Sequence, residues 1–293
     1  MFELLGVPPQ ALFGQLLLGL INGAFYALLS LGLAVIFGLL NVINFIHGAQ
    51  YMMGAFAAWM LLQWVGIGFW PALVIAPIIV ALTGIVLERL LLRRLYHLDH
   101  LYGLLLTFGI GIIIEGLFRI RFGSSGQPYD NPLPGGNNLG FMFLPNYRAF
   151  VVAASLVICF ATWFVIERTR LGSYLRAATE NPTLVRAFGI NVPRMITLTY
   201  GFGVGLAALA GVMAAPIYQV SPLMGSNLII VVFAVVVIGG MGSIMGSIVT
   251  GFGLGVIEGL TKVFYPEASN TVIFVIMAIV LLIKPAGLFG TPR

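Results

Sequence analysis

The chain has 293 residues, 60% of them hydrophobic and 8% charged, with a net charge of +5. A water-soluble domain carries roughly 25% charged residues, so this chain lacks the polar surface to coat a globule in water. Lipid must be the solvent for most of it, and the spanning backbone must then be helical or a closed barrel.

Barrel strands alternate apolar and polar residues. Runs such as LIIVVFAVVVIGG (228–240) and TVIFVIMAIVLLI (271–283) are apolar on every side, so an all-α, polytopic bundle is expected. At about 20 residues per span, candidate segments run near 11–38, 42–65, 69–92, 101–120, 148–166, 195–217, 227–241, 246–264 and 271–284. The segment 42–65 is polar for a span, and only MGSI parts 227–241 from 246–264. The expected count is therefore about 8–10 spans, some of them broken, in a single transmembrane domain over 1–293. The many glycines (37) suit helices that approach without side chains between them.

The opening MFELLGVPPQ has no basic residue, so a retained first span is expected in place of a cleaved signal. Within that span Asn22 and Tyr26 stand four residues apart, a polar pair on one face. Next come Asn41, Asn44, His47 and Gln50, each three residues from the last, a spacing that predicts one helical face. A polar stripe facing lipid is costly, so this one should face a cavity or a neighbouring helix. Two readings stay open: a pathway for a polar solute without fixed charge, and hydrogen bonding between helices. A metal at His47 is not expected, because no cysteine or acidic cluster accompanies it. Glu115, deep in the fourth segment, has Arg119 four residues on. This pair reads either as an ion pair at the membrane boundary or as part of the pathway. Cys159, the only cysteine, reads as a small buried hydrophobe.

Residues 121–148 are rich in Gly, Pro and Asn with no helical period, which predicts an external loop with turns. After the fifth segment comes a polar loop, 167–194, and inside it a short helix over 182–188. Asn181 suits the N-cap, Pro182 the first helical position, and Gly189 the left-handed stop. Pro193 is expected to prevent a restart. Arg89, Arg93, Arg94, Arg168, Arg170, Arg176, Arg186, Arg194, Lys284 and Arg293 fall on one side if nine segments cross in turn. Positive charge marks the cytoplasmic side, which predicts an external N-terminus, a cytoplasmic C-terminus and a cytoplasmic 167–194 loop. That pattern is topological and argues against a nucleic-acid partner.

GGMGSIMGS (239–247) lacks the phosphate-binding pattern GxxxxGK[ST] and reads as a helix break. No nucleophile and base converge, so an enzyme is not expected, and catalytic and metal residues are expected to be none. Transport remains, with no energy source evident in the chain.

Five stretches carry a family resemblance. LGLAVIFGLLNVINFIHGAQYMMGAF, LLTFGIGIIIEGLFRIRFG, RTRLGSYLRAATENPTLVRAFGINV, VVVIGGMGSIMGSIVTGFGLGVIE and LLIKPAGLFG occur in that order. Together they resemble the inner-membrane permeases of branched-chain amino-acid ABC importers, the H-type (Liv) subunit, over essentially the whole chain. The resemblance implies a type II-like importer permease fold in a bacterial inner membrane. It implies a second related permease, two cytoplasmic ABC ATPases that bind ATP and Mg, and a periplasmic solute-binding protein. No cofactor is then held by this chain. The 167–194 loop would be the coupling loop, with Arg176, Glu180, Asn181, Pro182, Arg186, Gly189 and Ile190 in the region an ATPase contacts. It departs from the EAA pattern of many importers: Ala177 and Ala178 are present, but the glycine comes late, as Gly189. The solute implied is leucine, isoleucine or valine. Related permeases also carry urea, short amides or aromatic acids, and an ion-coupled carrier is the reading from another class, with Glu115 as its candidate acid.

Overall fold

A computed structural model describes residues 8–40, 44–96 and 98–290. Asn41 of the polar series lies outside them. Eleven α-helices follow in order among the described residues: α1 (Pro9–Leu40), α2 (Ile46–Met60), α3 (Phe69–Leu90), α4 (His100–Phe122), α5 (Asn146–Arg168), α6 (Arg170–Glu180), α7 (Pro182–Ala187), α8 (Val192–Ala214), α9 (Ser226–Gly239), α10 (Ile244–Phe264) and α11 (Val272–Ile283). A two-stranded antiparallel hairpin, β1 (Gly136–Asn138) with β2 (Phe143–Pro145), sits in the 121–148 loop.

Each of the nine predicted apolar segments contains a helix, but among the described residues only six helices are long and apolar enough to cross a membrane: α1, α3, α4, α5, α8 and α10. The 14 residues of α9 reach about 21 Å at 1.5 Å per residue, short of a hydrocarbon core of about 30 Å. The helix stops because Gly240 turns the chain at φ 101° and Ser243 caps α10 by accepting from the Gly246 N–H. The MGSI break is real, and α9 and α11 are short apolar helices. α2 is extended to Val65 by one π-helical turn.

The helices form an inner and an outer set. α1, α8 and α10 are largely buried, whereas α3, α4 and α5 present most of their apolar surface outward. The most extensive pairing is α1 along α10. Its cause is a ladder of glycines four residues apart, Gly19 and Gly23 on α1 against Gly251, Gly255 and Gly259 on α10. A Cβ on Gly19 would lie 2.5 Å from the Gly255 carbonyl oxygen, so only glycine lets the backbones approach this far.

The two ends of the bundle differ. At one end the hairpin loop folds over the helices, with Phe141 against Phe13 at 5.7 Å and Gln127 bridged to Val220. At the other lie α6 and α7. There Gly38 meets Gly242, and the Leu288 N–H donates to the Ile238 carbonyl at 2.8 Å. The arginines of 89–94 and 168–194 share this second end.

Two sequence expectations change. Pro193 does not block a restart; it occupies the first turn of α8, capped by Asn191, where its missing N–H costs nothing. Asn44 does not share a helical face with His47 and Gln50, because α2 starts only at Ile46. The polar loop also holds a second helix, α6.

Candidate functional site

Among the inner helices, towards the hairpin end, lies a cavity of about 290 Å³. α1 contributes Asn22 and Tyr26, α2 contributes Tyr51, and the 215–225 connection and the start of α9 contribute Tyr218, Ser221 and Asn227. The lining is neutral: amides, hydroxyls and aromatic faces. Asn22 accepts a hydrogen bond from the Tyr218 hydroxyl at 3.0 Å. The Tyr26 hydroxyl donates to Oε2 of Glu258, a residue outside the lining, at 2.6 Å. Glu258 is buried, and its other oxygen is ion-paired with Lys262 one turn along α10. An ion pair therefore stands directly behind one wall of an uncharged cavity.

Glu115 lies close by. It takes the Arg119 ion pair at 2.7 Å that the spacing predicts, and its second oxygen accepts from Ser226, the neighbour of the cavity residue Asn227. The structure thus brings Asn22 and Tyr26 to one cavity and ties Glu115 to the start of α9, outside the lining.

Asn44, His47 and Gln50 form a separate group, one turn from Tyr51 towards the arginine-rich end. All three are at most 2% exposed. His47 Nε2 donates to the Leu29 carbonyl at 2.9 Å, Asn44 donates to Gln50 at 3.3 Å, and Gln50 donates to the Tyr200 hydroxyl at 3.4 Å. These bonds tie α2 to α1 and α8.

At the arginine-rich end, α7 has the geometry its sequence signals require. Asn181 Oδ1 accepts from the Leu184 N–H at 3.0 Å, Pro182 fills the first turn, and Gly189 takes φ 81°. Val185 is the anchor, buried in a small cluster with Ala178 of α6 and Val192 of α8. Glu180, Asn181, Pro182, Arg186 and Gly189 are exposed and Ile190 is half-buried. Arg176, also exposed, lies back along α5, donating to the Ile166 carbonyl at 3.1 Å and to Glu167 at 3.3 Å. Leu184 and Phe188 project outward from the same short helix, Phe188 with 76% of its surface exposed. Leu184 in the helix and Phe188 at its C-cap thus leave apolar surface exposed four residues apart at this end.

Several of these residues escaped the sequence reading. Leu184 and Phe188 were legible as the apolar positions of a polar helix. Glu258 has Lys262 four residues on, the same signal that singled out Glu115. Glu88, buried at the end of α3, accepts from the Tyr96 hydroxyl at 2.8 Å and from Thr197 at 2.7 Å. Burial and the Glu88 carboxylate push the Tyr96 phenol well above its ordinary pKa.

Six helices long and apolar enough to cross a membrane, with an uncharged cavity bounded by α1, α2 and α9 among them, are the architecture of an integral membrane protein. The chain belongs to the family described as branched-chain amino acid transport system / permease component, whose model matches residues 15–281. It is similar to the high-affinity branched-chain amino acid transport system permease protein BraD of Pseudomonas aeruginosa, with 30% identity over 95% of this chain and 96% of that one. The corresponding permease protein LivH of Escherichia coli K12 is 30% identical over the same shares of the two chains. The permease protein LivM of that organism is 30% identical over 92% of this chain and 68% of its own length. Among solved structures, PsaBC from Streptococcus pneumoniae in complex with Fab covers 91% of this chain and 89% of that one, at 15% identity and a TM-score of 0.46.

Proposed function

We propose that the chain forms half of the pore of a binding-protein-dependent importer of leucine, isoleucine and valine, driven by two separate ATPases that bind ATP and Mg. The observation that carries the coupling half of this reading is α7, a capped helix that presents Leu184 and Phe188 to the outside. An ATPase groove that clasps this knob would move α6 and α8, to which Val185 fastens it. The substrate rests on the names of the relatives. In this reading the arginine-rich end faces the cytoplasm with the C-terminus, and the N-terminus lies outside. The hairpin end receives the solute-binding protein, and a second related permease completes the pore.

The solute pathway starts at the cavity bounded by Asn22 and Tyr26, beside Glu115. The Asn44–His47–Gln50 group is the next set of polar groups inward, reached when α2 and α8 part; Asn41 is assigned to the pathway on its spacing alone. One observation favours a second reading: the cavity offers amides and hydroxyls and no charged group, which suits urea or a short amide as well as a zwitterion. Uptake by the assembled importer in vesicles separates the two. Competition of leucine uptake by isoleucine and valine but not by urea supports the first, and the opposite order supports the second. Deletion of 181–189 should abolish uptake while leaving the chain inserted. ATP-driven uptake at the wild-type rate by that deletion would refute the coupling role.

A further inference from the structure

We propose that the groove between α3 and α8 is a binding site for an anionic membrane phospholipid, whose phosphate is held by Arg89, Arg93 and Arg194. Two adjoining cavities carry the inference. The first, of about 420 Å³ at the arginine-rich end, is lined by these three arginines with Asn191, Pro193 and Thr197. The second, of about 590 Å³, continues from it along the same two helices and is lined only by apolar residues of α3, α5 and α8. The junction is direct: Arg89 stands one turn beyond Ile85 of the apolar wall, and Thr197 one turn before Gly201.

Length and charge both fit. From Leu73 to Ile85 the apolar wall covers 13 residues of α3, about 18 Å from end to end at 1.5 Å per residue. That is close to one leaflet of a hydrocarbon core of about 30 Å, so the groove matches one acyl chain. Among the described residues none of the three arginines has an ion-pair partner. Glu88 sits behind the pocket with its oxygens occupied by Tyr96 and Thr197. Counted as a full negative charge it still leaves a local balance of +2, from three arginines less one carboxylate. Arginines serving topology alone need no cavity, and a free phosphate needs no apolar extension. A basic pocket between membrane helices, at headgroup depth and continuous with an apolar groove, fits a lipid with net negative charge.

The test needs no transport measurement, so its failure leaves the pore reading untouched. Native mass spectrometry of the whole importer, purified from membranes containing phosphatidylglycerol, compares the wild-type chain with an Arg89→Gln/Arg194→Gln variant. One retained phosphatidylglycerol per chain is expected, lost in the variant, with binding of added phosphatidylglycerol about fivefold weaker for each arginine removed. Arg89→Lys/Arg194→Lys should keep most of the binding. A photo-crosslinker on Leu198→Cys, at the groove wall, should capture lipid in the wild-type arginine background even if the charge variants fail to assemble. Equal retention by wild type and the Gln variant would overturn the proposal. So would equal binding of phosphatidylcholine, displacement by inorganic phosphate, or capture of the second permease by the crosslinker.

Discussion

Replacing Lys262 with methionine isolates the ion pair behind the cavity. Glu258 is 5% exposed, and its two oxygens are divided between Lys262 and the Tyr26 hydroxyl. Removing the cation leaves a buried carboxylate with one neutral donor. Breaking a fully buried pair costs about 3–5 kcal/mol. Water reaches about a third of the Lys262 side chain, and that screening reduces the expected loss to about 2–3 kcal/mol. The double variant Glu258→Gln/Lys262→Met removes both charges while an amide oxygen can still accept from Tyr26, so it should recover most of the loss. Thermal unfolding of the purified importer, run as a double-mutant cycle, measures both effects. A Lys262→Met variant as stable as wild type, or a double variant no better than Lys262→Met, would show that the pair does not hold Tyr26 against α10.

Three further outcomes follow from the geometry. Gly211→Ala drives a Cβ into the Tyr51 carbonyl, whereas Gly14 has open space around it; Gly211→Ala should cut the yield of folded protein severely and Gly14→Ala should leave it unchanged, both read by size-exclusion chromatography. Asn181→Ala removes the cap of α7 and should destabilise that helix by about 1 kcal/mol, seen as faster amide exchange over 182–188 and fewer solutes imported per ATP, with the melting temperature of the bundle unchanged. Tyr129, in the 121–148 loop, is pushed up to about 12 by burial and by Asp130. Its raised value means that the fold favours the neutral phenol: the contribution to stability is complete below pH 10 and is lost as pH rises through about 12. The phenolate absorbance missing from a Tyr129→Phe variant should therefore appear only above about pH 11; appearance near pH 10 would count against the burial.

What the sequence revealed depended on the distance over which its signals act. The nine apolar segments, six of which are long enough to span, and the MGSI break follow from composition along the chain, and α7 from cap chemistry within nine residues. α6 was missed because a polar stretch reads as loop unless its buried face is noticed, and that face is only Gly172, Leu175 and Ala178. The cavity was half visible. Asn22 and Tyr26 are four residues apart, but Glu258 is 232 positions from Tyr26, and Tyr218 is 196 from Asn22. Pairings over such separations are set by which helices the glycines allow to touch. For the same reason a regular three-residue spacing overstated the helix at Asn44, where the backbone is not yet helical.

The glycine contacts also bear on how a pull on α7 could reach the cavity. α8 is 23 residues of continuous helix, about 34 Å long, starting three residues after Gly189. Along it Tyr200 accepts from Gln50, Gly211 lies against the Tyr51 carbonyl, and the Met213 carbonyl accepts from the Tyr147 hydroxyl at 2.7 Å. Tyr218 of the cavity follows four residues after the helix ends. Gly211 leaves no slack against Tyr51, which itself lines the cavity, so α8 and α2 cannot slide past each other there without separating. A displacement of α7 therefore favours a tilt of α8 about this contact. That tilt would break the weak 3.4 Å bond from Gln50 to Tyr200 before the tight glycine contact yields.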